Sequence, residues 1–416
     1  MAKHDVRSPD TRKRRSHDKF GSGEATPGAR ARRRSLLSVV SLLGAGAVVL
    51  AACSSSPPST PTTPSSMSTS GAHPGGAVSL ASLETPPQGS VSLNETGSTL
   101  LYPLFNLWGP AYSKLHPNIS LTTAGTGSGT GISQASAGTV QIGASDAYLS
   151  PAQVQKDPGL LNIPLAISAQ MINYNIPGFS GTLKLNGKVL SAIYQGKITH
   201  WNDPKIGALN PGASLPNVTI YPLHRSDGSG DTFIFSQYLS KQDPNGWGQK
   251  IGYGTTVGFP GFSTALGELG NGGMVTGCAK TPGCVAYIGV SYRTQTQAKN
   301  LGEADIENGS GNYEALTSQT VAAEAASFAG STPASGAISL VDGTSAASGY
   351  PIINYEYAIV NKRQSSSSTA QAVKALLAWT MDPNGGSASS FLNQVAFKSL
   401  PASAVAVSIK LLSEIR

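Results

Sequence analysis

The amino-acid sequence predicts an α/β protein that is large enough for two domains. Three observations support this class: a length of 416 residues with 39% hydrophobic residues, short apolar segments that alternate with segments of helical periodicity, and glycine-rich turns between the two kinds of segment. A chain of this length and apolar content can form more than one hydrophobic core. Regular alternation of strands and helices is typical of parallel sheets with crossover helices.

The positive charge of the chain is concentrated before residue 53. The formal net charge is +7, but residues 1–52 contain 11 of the 29 Lys and Arg residues and 4 of the 22 Asp and Glu residues, so residues 53–416 contain 18 of each sign. A formally neutral main part gives no compositional support for a surface that binds polyanions. We therefore expect no nucleic-acid partner.

The N-terminal segment predicts an exported lipoprotein. Three arginines at 32–34 precede an apolar stretch over 36–49, which continues into Leu-Ala-Ala-Cys at 50–53. This order is typical of a signal peptide whose removal leaves a lipid on the cysteine. We therefore predict a signal peptide over 1–52 and lipidation of Cys53. A transmembrane helix is the alternative, but the apolar stretch is shorter than the roughly 20 residues that a span needs. Both the general secretory and the twin-arginine export routes fit this segment.

A flexible tether is expected after the lipidated cysteine, over residues 53–89. From 54 to about 77 the chain consists almost entirely of Ser, Thr, Pro and Gly and has no aromatic residue. Such a composition cannot bury enough apolar surface to offset the entropic cost of ordering, so we expect it to be disordered. Ordered structure is predicted to begin near Ser90.

Export also predicts oxidation of the two remaining cysteines. Cys278 and Cys284 lie close together in the sequence, and thiols outside the cytoplasm are usually paired. We expect a small loop closed by a disulfide. A zinc-binding pair is the competing interpretation, although no second pair of Cys or His residues lies nearby.

Helices and strands are predicted in alternation along the folded part. Leu101, Phe105, Trp108 and Tyr112 follow one another at steps of four, three and four residues, which places them on one helical face. Pro103 fits the first turn of this helix. The same reasoning predicts strands at 119–122, 140–144, 218–223 and 352–360, and helices at 131–138, 231–239 and 370–381.

Three turns rich in Gly, Ser and Thr precede predicted helices, at 97–100, 127–130 and 228–231. Glycine lets the backbone approach an anion, hydroxyl groups add donors, and a helix N-terminus presents unpaired N–H groups at the favourable end of the helix dipole. Each turn alone also fits an ordinary helix cap. The occurrence of all three predicts an oxyanion site.

Charged residues lie beside these turns. Arg225 precedes the third turn, and its planar guanidinium suits a two-point contact with a tetrahedral oxyanion, held in place by Asp227. A surface ion pair is the alternative. Asp146 and Asp231 add carboxylates, which suit only an anion with a proton of its own. Protonated phosphate meets this requirement and ionised sulfate does not. A strand-end cap is the alternative role of Asp146.

Motifs for catalysis, cofactors and metals are not matched. The glycines at 125–129 lack the strand and acidic partner of a dinucleotide loop, and the spacing from Asp227 to Tyr238 lacks the Gly and Glu of an EF-hand. No nucleophile elbow with a His partner is present, nor is the metal cluster or activated nucleophile that a phosphatase needs. We expect no enzyme activity, no cofactor and no metal site.

In combination, these motifs resemble the substrate-binding subunit of Pst-type ABC phosphate transporters, in its actinobacterial lipoprotein form. The resemblance covers the chain from about Val91 to its end. It rests on the following segments: Gly-Ser-Thr at 97–99, Gly-Ser at 127–128, Gly-Ala-Ser-Asp at 143–146, the segments 193–198 and 201–203, Arg-Ser-Asp-Gly-Ser-Gly at 225–230, Asp-Thr-Phe at 231–233, and the cysteine loop at 278–284.

The resemblance implies a two-domain periplasmic-binding-protein type II fold, with the ligand in the interdomain cleft and hinge crossovers between the domains. We expect one domain over 90–172 and 354–416 and the other over 173–353. The implied function is capture of inorganic phosphate at the outer face of the cytoplasmic membrane, and its delivery to the permease and ATPase subunits of the importer. Sulfate, molybdate or a phosphonate are alternative ligands for the same fold.

The resemblance also implies which residues contact phosphate. Asp231 stands where many relatives have Thr, so we assign it as a second proton acceptor, and we assign Asp227 to the support of Arg225. Trp201 is expected to be a packing residue. The implied phosphate ligands are Ser98, Thr99, Leu100, Ser128, Asp146, Arg225, Ser229, Gly230 and Asp231.

Overall fold

A mixed sheet of nine strands runs through the part of the chain that the computed structural model describes, residues 78–343 and 346–416. The predicted signal peptide, Cys53 and the predicted tether up to residue 77 lie outside the described residues. In spatial order the sheet contains β2 (Ile119–Thr122), β1 (Val91–Gly97), β3 (Ile142–Ser145), β12 (Ile353–Asn361), β4 (Leu160–Tyr174), β8 (Cys284–Gly289), β6 (Tyr221–Arg225) and β7 (Leu266–Glu268), and β9 (Gly302–Glu303) also pairs with β4.

A second, small sheet and a set of helices complete the described structure. The small sheet contains β5 (Lys184–Leu185), β10 (Asp305–Glu307) and β11 (Tyr313–Glu314). Single turns of other helical types lie at Pro244–Gly248, Val290–Tyr292 and Asn393–Val395. The α-helices are α1 (Leu80–Leu83), α2 (Tyr102–Leu115), α3 (Ser128–Ala137), α4 (Pro151–Lys156), α5 (Gly187–Tyr194), α6 (Pro204–Leu209), α7 (Gly230–Gln242), α8 (Gly270–Lys280), α9 (Arg293–Ala298), α10 (Ser318–Ser327), α11 (Ser367–Met381), α12 (Ser389–Leu392) and α13 (Ala402–Ser413).

Strand β4 joins two halves of the large sheet. All of its 15 residues are buried. Residues 160–169 pair with β12, whereas residues 170–174 pair with β8. The first half therefore contains β2, β1, β3 and β12, and the second half contains β8, β6, β7 and β9. One continuous strand thus connects the two halves.

The prediction of parallel sheets is correct for the outer strands only. Strand β1 is parallel to β2 and β3, and β6 is parallel to β7 and β8. Strand β12 is antiparallel to both of its neighbours, and β4 is antiparallel to β8. The chain returns to the first half after a long excursion through the second. Local alternation of strands and helices contains no information about where such a returning strand inserts.

Most predicted elements are confirmed, with shifted ends. The four residues predicted for the inner face of α2 are buried, although the first, Leu101, is the N-cap before the helix, and β2 has the predicted bounds. Strand β6 begins at Tyr221 and not at residue 218, because Val218 and Thr219 pair with the loop around Trp201. The Trp201 side chain is buried and donates from Nε1 to the carbonyl of Gly283 at 3.0 Å, which confirms its packing role.

The prediction of a disordered tether up to residue 89 is wrong for its last part. The structure has helix α1 within it, and Ser79 forms a capping box at its start. Leu80 and Leu83 are partly buried against the core, where α1 contacts α11 and α13. Asn118 Nδ2 also donates to the carbonyls of Pro87 and Gly89 at 2.7 and 3.0 Å, so this segment is attached although its composition resembles that of the tether.

The two neighbouring cysteines close the turn between α8 and β8. The sulfur atoms of Cys278 and Cys284 lie 1.99 Å apart, and both side chains are buried. Across 78–343 and 346–416, no helix has the length and apolar character that a membrane span requires.

Glu95 places a carboxyl group inside β1. Its side chain is 2% exposed. Burial raises the pKa of Glu95 well above its ordinary value, and a contact with the backbone of Ala124 offsets only part of this effect. The folded protein therefore holds a proton at Glu95 that the unfolded chain releases at a lower pH.

We predict that stability depends less on pH when Glu95 is replaced by Gln. A carboxyl with a raised folded-state pKa contributes stability that is complete below its unfolded pKa and is lost as the pH rises through the folded pKa. The change is about 1.4 kcal/mol per pH unit between these two pKa values. Denaturant unfolding at pH 5 and pH 8 should show a smaller loss for Glu95→Gln than for the wild type. Equal losses would contradict the prediction.

Candidate anion-binding site

The predicted ligand residues meet at the carboxyl ends of three strands. Ser98 follows β1, Asp146 follows β3, and Arg225 is the last residue of β6. Ligands of open α/β sheets bind outside the carboxyl ends of the strands. Because β1 and β3 belong to the first half of the sheet and β6 to the second, side chains from both halves reach the same place.

Asp146 is the centre of the group contributed by the first half. Its side chain is 2% exposed. The Ser98 hydroxyl donates to Oδ1 of Asp146, and the Ser128 hydroxyl donates to Oδ2 at 3.3 Å. The backbone N–H of Asp146 donates in turn to Ser128 Oγ at 3.2 Å. Two of the predicted turns therefore supply hydroxyl donors to one carboxylate.

Arg225 is the centre of the group contributed by the second half. Its Nε and Nη2 donate to the carboxylate of Asp227 at 2.7 and 2.5 Å, and its Nη1 donates to Oδ2 of Asp231 at 2.6 Å. Asp227, which was predicted to support Arg225, thus contacts its guanidinium at two points. These contacts use three of the five guanidinium N–H groups. The others are available to a ligand.

Burial and charge act together on the carboxyl groups. Burial raises the pKa of Asp146, and the negative charge of Asp231 raises it further. Burial also raises the pKa of Asp231, against the opposing effects of Arg225 and Asn271. At Asp227 the hydrogen bond and charge of Arg225 outweigh burial and hold its pKa below the ordinary value. Only one of the three carboxylates is therefore strongly stabilised as an anion.

Two helices begin at the site. Helix α3 begins at Ser128, and α7 begins at Gly230. Ser229 caps α7, because its Oγ accepts from the N–H of Thr232 at 3.2 Å. The first N–H groups of a helix have no acceptor within the helix, and the dipole at this end favours an anion. Both helices therefore present donors of the predicted kind.

The turns also contact each other directly. The N–H of Gly129 donates to the carbonyl of Gly228 at 2.8 Å. A Cβ atom at Gly230 would lie 2.4 Å from Oδ2 of Asp146 and 2.6 Å from Ser128 Oγ. Glycine is therefore required at this approach. Segments from the two halves of the sheet enclose one buried polar region.

All nine predicted ligand residues are buried in this region, but three have partners that were not expected. The N–H of Leu100 donates to Ser98 Oγ at 3.0 Å, so in this structure it is engaged within its own turn. Asp231 is the ion-pair partner of Arg225. The N–H of Ser229 donates to the carbonyl of Thr255 at 2.7 Å, which leaves its hydroxyl hydrogen for another acceptor.

Two residues that were not predicted from the sequence complete this network, Asn271 and Gln170. Asn271 Nδ2 donates to Thr99 Oγ1 at 2.9 Å and to Asp231 Oδ2 at 2.8 Å, and Gln170 Nε2 donates to Asp231 Oδ1 at 3.2 Å. Asn271 lies in a fourth glycine-rich segment at the start of α8, which is the signal used for the other turns. Gln170 is a polar residue inside the apolar strand β4, and this was a second usable signal.

Comparisons with known proteins show the family of this chain. A PBP superfamily domain matches residues 81–384. The phosphate-binding protein PstS of Xylella fastidiosa (strain Temecula1) is 35% identical over 250 residues, which are 59% of this chain and 66% of that protein. The phosphate-binding protein PstS3 of Mycobacterium bovis BCG is 30% identical over 356 residues, 82% of this chain and 89% of that protein.

A solved structure shows the same fold. The high-affinity periplasmic phosphate-binding protein PfluDING, bound with phosphate, superposes with a TM-score of 0.60 at 19% identity and covers 78% of this chain and 93% of its own. The fold and the cleft site thus define a two-domain binding protein of the PBP superfamily. Within this class, the chain belongs to the PstS family of phosphate-binding proteins.

We predict that Gly230→Ala destabilises the protein by about 1 to 3 kcal/mol, because the added methyl group overlaps Asp146 and Ser128 in a packed interior. Gly272→Ala is the matched control, since a Cβ atom there meets nothing within 4 Å. Alanine inside a helix is favoured over glycine by up to about 1 kcal/mol. Denaturant unfolding of both variants measures the difference. Equal stability of the two would contradict the packing described for Gly230.

Proposed function

We propose that this chain is the extracytoplasmic receptor of an ABC phosphate importer and holds one phosphate ion among the nine ligand residues predicted from the sequence. The observation that carries the proposal is the convergence of Asp146 and Arg225 from opposite halves of the sheet. Hydroxyl groups, a guanidinium and two helix N-termini surround the same buried region. The names of the relatives support the choice of phosphate.

The charges of the site favour an anion that carries a proton. Arg225 is the one cation among these residues, and it already faces the carboxylates of Asp227 and Asp231. Asp146 adds a further acceptor. A fully ionised sulfate would meet this carboxylate without a hydrogen to share, whereas the P–OH of phosphate donates to it. We propose Asp231 as a second acceptor for dihydrogen phosphate.

The remaining features of the proposal follow from the sequence and the fold. We propose that Cys53 carries a lipid that anchors the chain to the outer face of the cytoplasmic membrane, and that the oxidised pair at 278 and 284 reflects this location. The chain catalyses no reaction, because phosphate leaves unchanged for the permease and ATPase subunits. The proposed domains, 90–172 with 354–416 and 173–353, close over the ion by a hinge at the strands that connect them.

Calorimetric titration of purified protein with phosphate and with sulfate tests this function. We expect phosphate to bind to one site, and sulfate to bind at least a hundredfold more weakly at pH 7, because the unpaired carboxylate penalises an unprotonated ion. Tighter binding of sulfate would contradict the proposal. Steady turnover of a phosphomonoester by the same preparation would contradict the absence of catalysis.

We predict that Asp146→Asn lowers the preference for phosphate over sulfate by at least tenfold. The amide keeps the size of the side chain but removes the charge and replaces one acceptor oxygen by an N–H donor. This donor cannot accept the hydrogen of phosphate, but it can donate to an oxygen of sulfate. Asp382→Asn is the control, because Asp382 Oδ1 accepts only a local turn N–H, from Asn384 at 3.0 Å. Competition titrations give the two ratios. An unchanged ratio in Asp146→Asn would count against the assigned role.

A further inference from the structure

Asn271 joins the two halves of the sheet at the anion site. It lies in α8, between β7 and β8 of the second half, and its side chain is fully buried. Its Nδ2 donates to Thr99 Oγ1 at 2.9 Å and to Asp231 Oδ2 at 2.8 Å. Thr99 belongs to the turn that follows β1 of the first half. One amide group therefore contacts a predicted ligand residue of each half.

The orientation of the Asn271 amide is determined by its surroundings. The backbone N–H of Gly289 donates to Asn271 Oδ1 at 2.8 Å. A backbone N–H can only donate, so the atom that it faces must be the amide oxygen. Nδ2 therefore faces Thr99 and Asp231, and a carboxylate acceptor at Asp231 fits the same orientation. In the hydrogen bond between the two side chains, Asn271 thus donates and Thr99 accepts.

The Thr99 hydroxyl accepts a second hydrogen bond from Asn271, whose backbone N–H lies 3.2 Å from Thr99 Oγ1. A hydroxyl group has two acceptor positions and one hydrogen. Both acceptor positions of Thr99 are therefore occupied by N–H donors of Asn271, and its hydrogen must point to a different partner. Within residues 78–343 and 346–416, no atom accepts this hydrogen. It is therefore available to a ligand.

The neighbouring hydroxyl of Ser98 is used differently. Ser98 Oγ accepts from the N–H groups of Leu100 and Leu101 at 3.0 and 2.9 Å, and it donates its hydrogen to Oδ1 of Asp146. The single hydrogen of Ser98 is thus used within the protein. Of the two hydroxyl groups in the first glycine-rich turn, that of Thr99 is the one that can donate to a ligand.

We propose that Asn271 is a positioning residue for the anion site, which orients the Thr99 hydroxyl as a hydrogen-bond donor to the bound ion. The ion named in this inference rests on the proposed function. Because Asn271 belongs to the second half of the sheet and Thr99 to the first, this donor is oriented only where the two halves are in contact. In an open cleft the hydroxyl would be free to rotate. Asn271 thus couples closure of the cleft to retention of the ion.

A double-mutant cycle in phosphate affinity, measured by calorimetric titration of the full chain, tests this role. Thr99→Val removes the hydroxyl, and we expect at least a tenfold loss of affinity, because a hydrogen bond to a charged ligand is lost. Asn271→Asp replaces Nδ2 by an oxygen that accepts the Thr99 hydrogen itself. In this background we expect Thr99→Val to change the affinity less than threefold. An equal loss in both backgrounds, which a merely structural role predicts, would overturn the proposal.

Thr276→Ala is the control on the same helix. Thr276 is exposed and donates to the carbonyl of Gly272 within α8 at 2.9 Å, so we expect the phosphate affinity to stay within twofold of the wild type. If Asn271→Asp does not fold, Asn271→Ala takes its place, because it also removes the Nδ2 donor. We expect it to lower the affinity fivefold or more with Thr99 intact and less than threefold in Thr99→Val. An unchanged affinity in Asn271→Ala would overturn the proposal.

A measurement without any anion separates this inference from the function on which it rests. Urea unfolding of the wild type, Thr99→Val, Asn271→Ala and the double variant reports the contact between the two side chains. We expect the combined loss of stability to be smaller than the sum of the single losses, and additive losses would overturn the proposal. If the wild type binds sulfate but not phosphate, the proposed function fails, and the same affinity cycle with sulfate decides the role of Asn271. If it binds neither ion, both proposals fail.

Discussion

The buried ion pair of Arg225 with two carboxylates is the constraint on which the rest of the site depends. A charge removed from water is costly unless it is paired and hydrogen-bonded. Asp227 and Asp231 both contact the guanidinium directly, so three neighbouring carboxyl groups, with Asp146, share the charge of one cation. The role proposed for Asp146, as the acceptor of a proton that the ligand carries, follows from this shortage of positive charge.

The sheet supplies the geometry that this chemistry requires. Strands β1 and β3 deliver Ser98 and Asp146 from one half, and β6 delivers Arg225 from the other. Strand β4 continues through both halves, so it connects the strands whose ends carry these residues. The buried polar network is thus built from short loops that follow the strands of one continuous sheet. Such a sheet can hold polar groups close together at its edge without a large polar core.

Much of this arrangement could be predicted from the sequence. The periodicity of α2 and the three glycine-rich turns indicated helices that begin at an anion site, because helix caps and dipoles are local properties. The position of β12 was not predictable, since its pairing is determined by distant strands. Helix α1 was missed because two leucines in a polar segment give a weak local signal. The glycine-rich segment around Asn271 indicated a turn like the other three, but its contacts with Thr99 and Asp231 are tertiary, and local patterns do not describe these.

The hydrogen bond between Gly129 and Gly228 has a consequence for how this cleft tolerates mutation. Donor and acceptor are both main-chain atoms, so no substitution removes either of them except proline at position 129, which has no N–H. A side chain at Gly129 would approach the Gly228 Cα within 3.0 Å. Other substitutions at these two glycines therefore weaken the hydrogen bond only by steric overlap. Side-chain changes elsewhere in these loops leave this main-chain contact between the two halves of the sheet intact.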